Sequence, residues 1–213
     1  MSSLRITEIF CSIQGESTTV GEPTVFVRLT GCPLRCQYCD TAYAFSGGER
    51  MAIHDIMQTV TEFGVPHVTV TGGEPLAQKE CETLLTALCD NGFKVSLETS
   101  GALAIDKVDP RVRTILDIKT PGSGEQDKNL VANIAELKPQ DEVKFVICDR
   151  ADYDFALNQI RQHALASKTQ VLFSPSHTQL EPRQLAEWML QDKVSARLQL
   201  QLHKYLWGDE PGR

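Results

Sequence analysis

The sequence predicts an α/β fold on a parallel sheet, an incomplete, TIM-like barrel of about six parallel strands. Three observations predict it. Apolar runs of strand length alternate along the chain with stretches of helical period, the pattern of repeated βα units. The 213 residues fall short of the roughly 250 that a complete eightfold barrel uses. Polar or glycine-bearing clusters follow most of the strand candidates, where parallel sheets place their ligand sites.

In chain order the strand candidates are Val25–Leu29, His67–Thr71, Lys94–Glu98, Arg113–Ile118, Glu142–Cys148, Gln170–Ser174 and Arg197–Leu202. The helix candidates are Met51–Phe63, Gln78–Asn91, Asn129–Leu137, Tyr153–Ala166 and Glu181–Val194. The first carries Ile53, Ile56, Met57 and Val60 on one face and stops at Gly64. The second ends at Asn91-Gly92, a usual stop. Pro182 suits the first turn of the last, where its missing N–H costs nothing. No repeat, low-complexity tract or linker divides the chain, so a single domain over residues 1–213 is expected.

Composition narrows the function. A hydrophobic fraction of 41% supports a sizeable core and argues against a disordered chain. No apolar stretch approaches the ~18 residues of a membrane span. Met1-Ser2-Ser3-Leu4-Arg5 lacks the apolar segment of an export signal, so a cytoplasmic enzyme is expected, away from membranes. The net charge of −7 argues against a protein that coats nucleic acid.

Seven cysteines, an odd count without an export signal, do not read as a disulfide framework. Cys11, Cys81, Cys89 and Cys148 are scattered and read as structural; Cys81 shares an apolar stripe with Leu84, Leu85 and Leu88. Cys32, Cys36 and Cys39 instead crowd into eight residues. A zinc knuckle wants four ligands, and no fourth Cys or His lies nearby. Three thiolates suit a four-iron cluster with one iron left open. A degenerate zinc loop and three buried thiols are the plain alternatives. The spacing C-x₃-C-x₂-C is that of radical S-adenosylmethionine enzymes.

The wider pattern resembles one family of that superfamily, the 7-carboxy-7-deazaguanine synthases of 7-deazapurine and queuosine biosynthesis. Gly31-Cys-Pro-Leu-Arg-Cys-Gln-Tyr-Cys-Asp40-Thr41 carries the resemblance, with Glu8-Ile-Phe-Cys-Ser-Ile-Gln14-Gly15-Glu16 and Phe26-Val-Arg28-Leu-Thr-Gly31. Thr71-Gly-Gly-Glu-Pro75, Glu98-Thr-Ser-Gly101 and His203-Lys-Tyr205 extend it from about Ile6 to Leu206. The cysteine spacing and the GGEP loop belong to the whole superfamily. The combination of Gln14-Gly15-Glu16, Asp40-Thr41 and His203-Lys204-Tyr205 selects the family.

The resemblance implies a radical S-adenosylmethionine core and a role for each residue. Cys32, Cys36 and Cys39 would hold a [4Fe-4S] cluster whose open iron binds S-adenosylmethionine. Tyr38, Asp40, Gly73, Glu74, Ser100, Asp117, Lys119 and Ser174 would surround that cofactor. Thr41 would bind magnesium beside a substrate carboxylate; alone, Asp40-Thr41 would read as a helix cap or turn. Ile13, Gln14, Gly15 and Glu16 would read the pterin ring, with Thr71 and His203 completing the pocket. No catalytic residue is assigned beyond the cluster and cofactor. A homodimer, a flavodoxin- or ferredoxin-type electron donor and no direct nucleic-acid contact are also implied.

Arg28 also has a reading of its own. A guanidinium among Val25, Phe26, Val27 and Leu29 must find an anion, because burying it unpaired is costly. The substrate carboxylate is one candidate, and an internal bridge to Glu16 or Glu98 is the other. This chain departs from the family pattern in having Asp117-Ile-Lys119-Thr-Pro121 where relatives carry Ser-Pro-Lys. Its tail Leu206–Arg213 is longer than in relatives whose terminal carboxylate reaches substrate, so that role is not carried over. Two rivals stand. An activase that makes a glycyl radical on another protein would share the cluster chemistry. A non-enzymatic iron–sulfur or zinc module would leave the GGEP loop unexplained.

Overall fold

The computed structural model describes residues 2–208, 210 and 212; Met1 of the N-terminal reading and Asp209, Pro211 and Arg213 of the tail lie outside the described residues. Nine strands form one sheet: β1 (Ser3–Ile13), β2 (Pro23–Leu29), β3 (Glu49–Ala52), β4 (His67–Gly72), β5 (Lys94–Thr99), β6 (Arg113–Asp117), β7 (Glu142–Ile147), β8 (Gln170–Pro175) and β9 (Arg197–Leu198). Their order is β3-β1-β2-β4-β5-β6-β7-β8-β9. From β2 onwards each neighbouring pair is parallel, while β1 runs antiparallel to both β2 and β3. Among the described residues β9 does not pair back to β3, so the barrel stays open, as its length predicts.

Helices α1 (Ile53–Glu62), α2 (Cys81–Asp90), α4 (Arg150–His163) and α6 (Pro182–Gln191) cover the sheet; α3 (Asn133–Glu136), α5 (Leu165–Lys168) and α7 (Leu202–Trp207) are short. The strand period of two separates the faces of the sheet. Val25, Val27, Leu29, Val68, Val70, Val95, Leu97, Val143, Phe145, Val171 and Phe173 join one core with Ile56, Leu84, Leu85, Tyr153 and Leu185 from the helices. Each such aliphatic side chain, wholly buried, contributes about 1.5–3 kcal/mol. The alternate residues, among them Arg28, Thr69, Thr71, Ser96, Glu98, Asp117, Lys144 and Ser174, form the other face, which is polar.

The sequence reading finds the parallel strands and four long helices but omits β1 and β3. A register shift between Ile6 and Glu8 breaks the alternation of β1, so no clean period of two survives in the sequence. Met51 and Ala52 end β3 rather than beginning α1. The Asn129–Leu137 helix shrinks to α3, one turn. The Tyr153–Ala166 helix begins earlier, at Arg150, where Asp149 caps by accepting from the Asp152 amide at 3.0 Å. It breaks at Ala164, which sits in the left-handed region with φ of 51°. The expected strand Arg197–Leu202 keeps two residues, and Leu202 opens α7.

The turn between β1 and β2 folds into the barrel instead of away from it. The Gln14 side chain donates to Thr69 Oγ1 on β4 at 3.1 Å. Glu16 bonds Lys144 on β7, and the Ser17 amide donates to Gln199 Oε1 at 2.7 Å. Thr18 donates to the buried Glu142 carboxylate and accepts from Arg113 Nη1 at 3.0 Å. Residues 14–18 thereby plug the lumen beneath the strand ends, and a cavity remains above them.

Candidate active site

The strand ends open onto one cavity of about 570 Å³. Every site residue selected from the sequence lines it except Gly15 and Glu74.

The cysteine loop forms one wall. It is fixed through its backbone: the Gly31 amide donates to Ala44 O at 2.8 Å and the Gln37 amide to Ser123 O at 3.0 Å. Gly73 lies against the Gly31 carbonyl, where a Cβ would strike that backbone and the Cys32 side chain. Cys32, Cys36 and Cys39 are free, partly buried thiols. Burial pushes the Cys32 and Cys36 thiols up, opposed by the ammonium of Lys119. Among the described residues no three such side chains converge on a single ion; ligands to three different irons of a cluster need not converge.

Next to the thiols stand groups suited to a polar cofactor. Lys119 Nζ pairs with Asp117 Oδ2 at 2.9 Å; burial would lower this lysine, but Asp117 together with the Cys36 and Cys32 sulfurs outweighs it and holds it charged. Asp117 Oδ1 and the Tyr38 hydroxyl are buried with no hydrogen-bond partner among the described residues. Both line the cavity, and such orphaned groups call for a ligand. Three free thiols and two orphaned polar atoms on one cavity fit an iron–sulfur cluster with a bound amino-acid nucleoside. Ser100 and Ser174 line the same cavity.

Glu74 stands behind the cavity wall. Its carboxylate is fully buried and accepts from Ser100 N at 2.7 Å, Ser100 Oγ at 2.5 Å, Thr99 Oγ1 at 2.9 Å and Leu76 N at 3.0 Å. It ties the β4 and β5 loops together and does not reach the cavity.

Arg28, which also lines the cavity, finds a partner that neither sequence alternative named. Its Nε donates to Glu8 Oε1 at 2.7 Å, and Tyr43 Oη donates to the same oxygen at 2.8 Å. The register shift in β1 sets Glu8 opposite Arg28. The guanidinium lies 5.9 Å from the ring centres of both Phe10 and Tyr43. Among the described residues its Nη nitrogens make no hydrogen bond, which leaves that edge for an anion. Thr41 begins the 3₁₀ turn Ala42–Phe45, yet its side chain makes no cap. Its hydroxyl donates instead to Asp40 Oδ1 at 2.9 Å, leaving oxygen lone pairs for another group.

The plug supplies the floor. Ile13 lines the cavity, as does Gln14, whose oxygen accepts from the Glu16 amide at 3.1 Å. Gly15 lies outside the lining because it carries His203: a Cβ there would meet the imidazole ring and come within 2.9 Å of the His203 backbone nitrogen. Burial lowers the His203 pKa despite Glu16 and Asp40 nearby, so a neutral ring faces the cavity. Thr71 Oγ1 donates to Glu98 Oε2 at 2.9 Å, and burial followed by the Glu16 charge pushes the Glu98 carboxyl up.

Sequence reasoning gives no role to three groups that shape this site, Glu8, Lys144 and Gln201, and weighs Glu98 only as a bridge partner for Arg28. Lys144 carries the same signal as Arg28, one cation inside the apolar strand Glu142–Ile147. Gln201 Nε2 donates to Glu16 Oε1 at 2.9 Å and to Asp40 Oδ2 at 3.1 Å, joining the plug to the cysteine loop.

Known proteins share this arrangement of chain. Residues 26–117 match the radical SAM superfamily. The 7-carboxy-7-deazaguanine synthase of Chlorobaculum tepidum is 50% identical over 210 residues, covering 97% of this chain and 96% of that protein. The 7-carboxy-7-deazaguanine synthase of Koribacter versatilis is 43% identical over 222 residues, covering 97% and 98%. Among solved structures, QueE from Escherichia coli shares the fold with a TM-score of 0.78 at 22% identity, over 94% of this chain and 95% of that one.

Proposed function

Because the chain belongs to the 7-carboxy-7-deazaguanine synthase family of radical S-adenosylmethionine enzymes, we propose how its residues divide the labour of that reaction. The reaction contracts the ring of 6-carboxy-5,6,7,8-tetrahydropterin to 7-carboxy-7-deazaguanine with loss of ammonia. When bound, the cluster and S-adenosylmethionine supply the one-electron chemistry that starts it, by hydrogen abstraction at C6 of the substrate. The chain's own residues bind, orient and exclude water.

Cys32, Cys36 and Cys39 hold the cluster. Tyr38, Asp40, Gly73, Ser100, Asp117, Lys119 and Ser174 surround S-adenosylmethionine, the Asp117–Lys119 pair offering a charge for each end of the amino acid. Arg28 takes the substrate carboxylate on its Nη edge, since Glu8 occupies the other. Thr41 offers its oxygen to a magnesium ion at that carboxylate, its proton directed to Asp40. Ile13, Gln14 and Gly15 shape the ring's seat, Glu16 accepts from its amino groups, and Thr71 and neutral His203 close it. The observation that carries this reading is Arg28: a guanidinium gripped on one edge and open on the other, lining the same cavity as three free thiols.

A homodimer and a flavodoxin- or ferredoxin-type electron donor belong to the same proposal. No described helix is long and apolar enough to cross a membrane. The activase alternative draws no support from relatives that match this chain end to end. The test is anaerobic incubation of reconstituted protein with reductant, S-adenosylmethionine, magnesium and the carboxytetrahydropterin. The expected result is the deazaguanine product with S-adenosylmethionine regenerated. Cofactor cleavage without that product would reject the substrate.

A further inference from the structure

Lys144 is the one cation of β7, whose sequence after Glu142 is otherwise apolar. Its strand neighbours Val143 and Phe145 are fully buried against the helices, and Lys144 points the other way, into the cavity. Only 15% of its side chain is exposed, and 14% of that of Glu16, to which it is bonded. A buried carboxylate–ammonium pair is costly to assemble and is weak evidence for stability alone. Its presence at the floor of a substrate cavity calls for another reason.

The surroundings supply one. Glu16 Oε2 takes Lys144 Nζ and Gln199 Nε2, the latter at 3.3 Å, and Oε1 takes Gln201 Nε2 at 2.9 Å. A carboxylate has about four lone-pair sites, so one acceptor position, on Oε1, is left. We propose that Lys144 is a positioning residue for ring recognition, whose ammonium pins the Glu16 carboxylate so that its one remaining acceptor site meets the substrate's amino group. The proposal rests on the assignment of Glu16 to the substrate ring.

Charge makes the lysine hard to replace. Besides Lys144, Glu16 faces Glu98 on β5, Asp40 on the cysteine loop and His203 on α7; Asp117 on β6 lies close to the lysine, and Lys204 on α7 lies close to Asp40 and His203. Burial would raise the Glu16 carboxyl, but the Lys144 charge and the bonds from Lys144 and Gln201 together outweigh it and hold Glu16 ionised. Without the lysine, a buried carboxyl among acids takes up a proton and presents a donor where an acceptor is needed.

The test uses reconstituted holoenzyme carrying Lys144→Met, Glu16→Gln, or both. Lys144→Met should lower kcat/KM for the carboxytetrahydropterin on the order of a hundredfold at neutral pH. Its activity should climb as pH is raised above neutral and Glu16 loses its proton, a rise absent from the unmodified protein. Affinity for S-adenosylmethionine should persist, and the double variant should be no worse than Glu16→Gln alone. Unchanged kcat/KM in Lys144→Met, or lost S-adenosylmethionine binding, overturns the proposal. If Lys144→Met does not fold, the charge-balanced double variant decides: a further large loss beyond Glu16→Gln also overturns it. Normal turnover by Glu16→Gln would instead sink the assignment of Glu16 on which the proposal stands.

Discussion

The cysteine loop and the lumen plug lie on the same cavity and are built in opposite ways. Residues 31–40 are anchored by backbone amides, with Pro33, Arg35 and Gln37 exposed between half-buried thiols. Residues 14–18 are anchored by side chains from β4, β7 and the segment after β9, with Gln14, Gly15 and Ser17 buried. Holding a loop chiefly by its backbone leaves its thiols unengaged for an outside group. Holding a segment by its side chains fixes a shape that a ligand then meets. The first construction suits a cofactor that brings its own bonding demands, and the second suits recognition of a rigid ring.

The sharpest way to break this contrast is at the thiols. Cys32→Ala, Cys36→Ala and Cys39→Ala should each lose the cluster, taking iron from about four per chain towards zero and abolishing turnover. Because the loop is fixed by amides, thermal melting of the metal-free variants should match that of the metal-free parent. Cys81→Ala, buried in the core with Leu84 and Leu88, should keep its iron and lose only packing. Iron and sulfide analysis with melting curves on one set of preparations checks both. Stoichiometric zinc without sulfide would refute the cluster assignment.

The same contrast explains what the sequence discloses. Thiols spaced three and two residues apart announce themselves, because the loop's chemistry is contiguous. The polar strand ends are also legible, since the parallel sheet they imply must gather them. The partners of the plug are not: Lys144 lies 128 positions from Glu16, and Gln199 lies 182 from Ser17. Glu8 is hidden by the irregularity of β1 that turns it towards Arg28. Gln201 precedes a six-residue helix, too short to show a period.

A second prediction concerns Arg28, which belongs to neither region and faces both. Arg28→Lys retains charge but replaces a planar fork by one ammonium. Glu8, 2.7 Å from Nε, captures that ammonium and leaves the substrate carboxylate unserved. Stranding one partner of such a pair costs roughly 2–5 kcal/mol, so kcat/KM should fall at least about thirtyfold. Cluster content and S-adenosylmethionine affinity should survive, because no described bond of the cysteine loop runs through Arg28. Normal turnover would make the Arg28–Glu8 pair a brace for the β1–β2 ladder and nothing more.

The smallest expected effect tests whether the plug works through shape. Gly15 has no need of a left-handed backbone, so Gly15→Ala carries no conformational penalty of that kind. It fails for a different reason: the new methyl enters the space of the His203 ring and approaches the backbone of α7. The Leu202 amide donates to Gly15 O at 3.0 Å, so the helix cannot swing away without losing its tether. Overpacking of this sort costs about 1–3 kcal/mol, part of it relieved by turning the imidazole out of the cavity. Gly21→Ala is the informative partner. Its φ of 93° strains any side chain, yet no atom lies within 4 Å of the added methyl. Both variants should melt somewhat lower, but only Gly15→Ala should also raise KM for the carboxytetrahydropterin, since only there does His203 move. Equal loss of stability with unchanged KM in both would mean that His203 does not contact substrate, and that the floor of the cavity is defined by Glu16 and Gln14 without it.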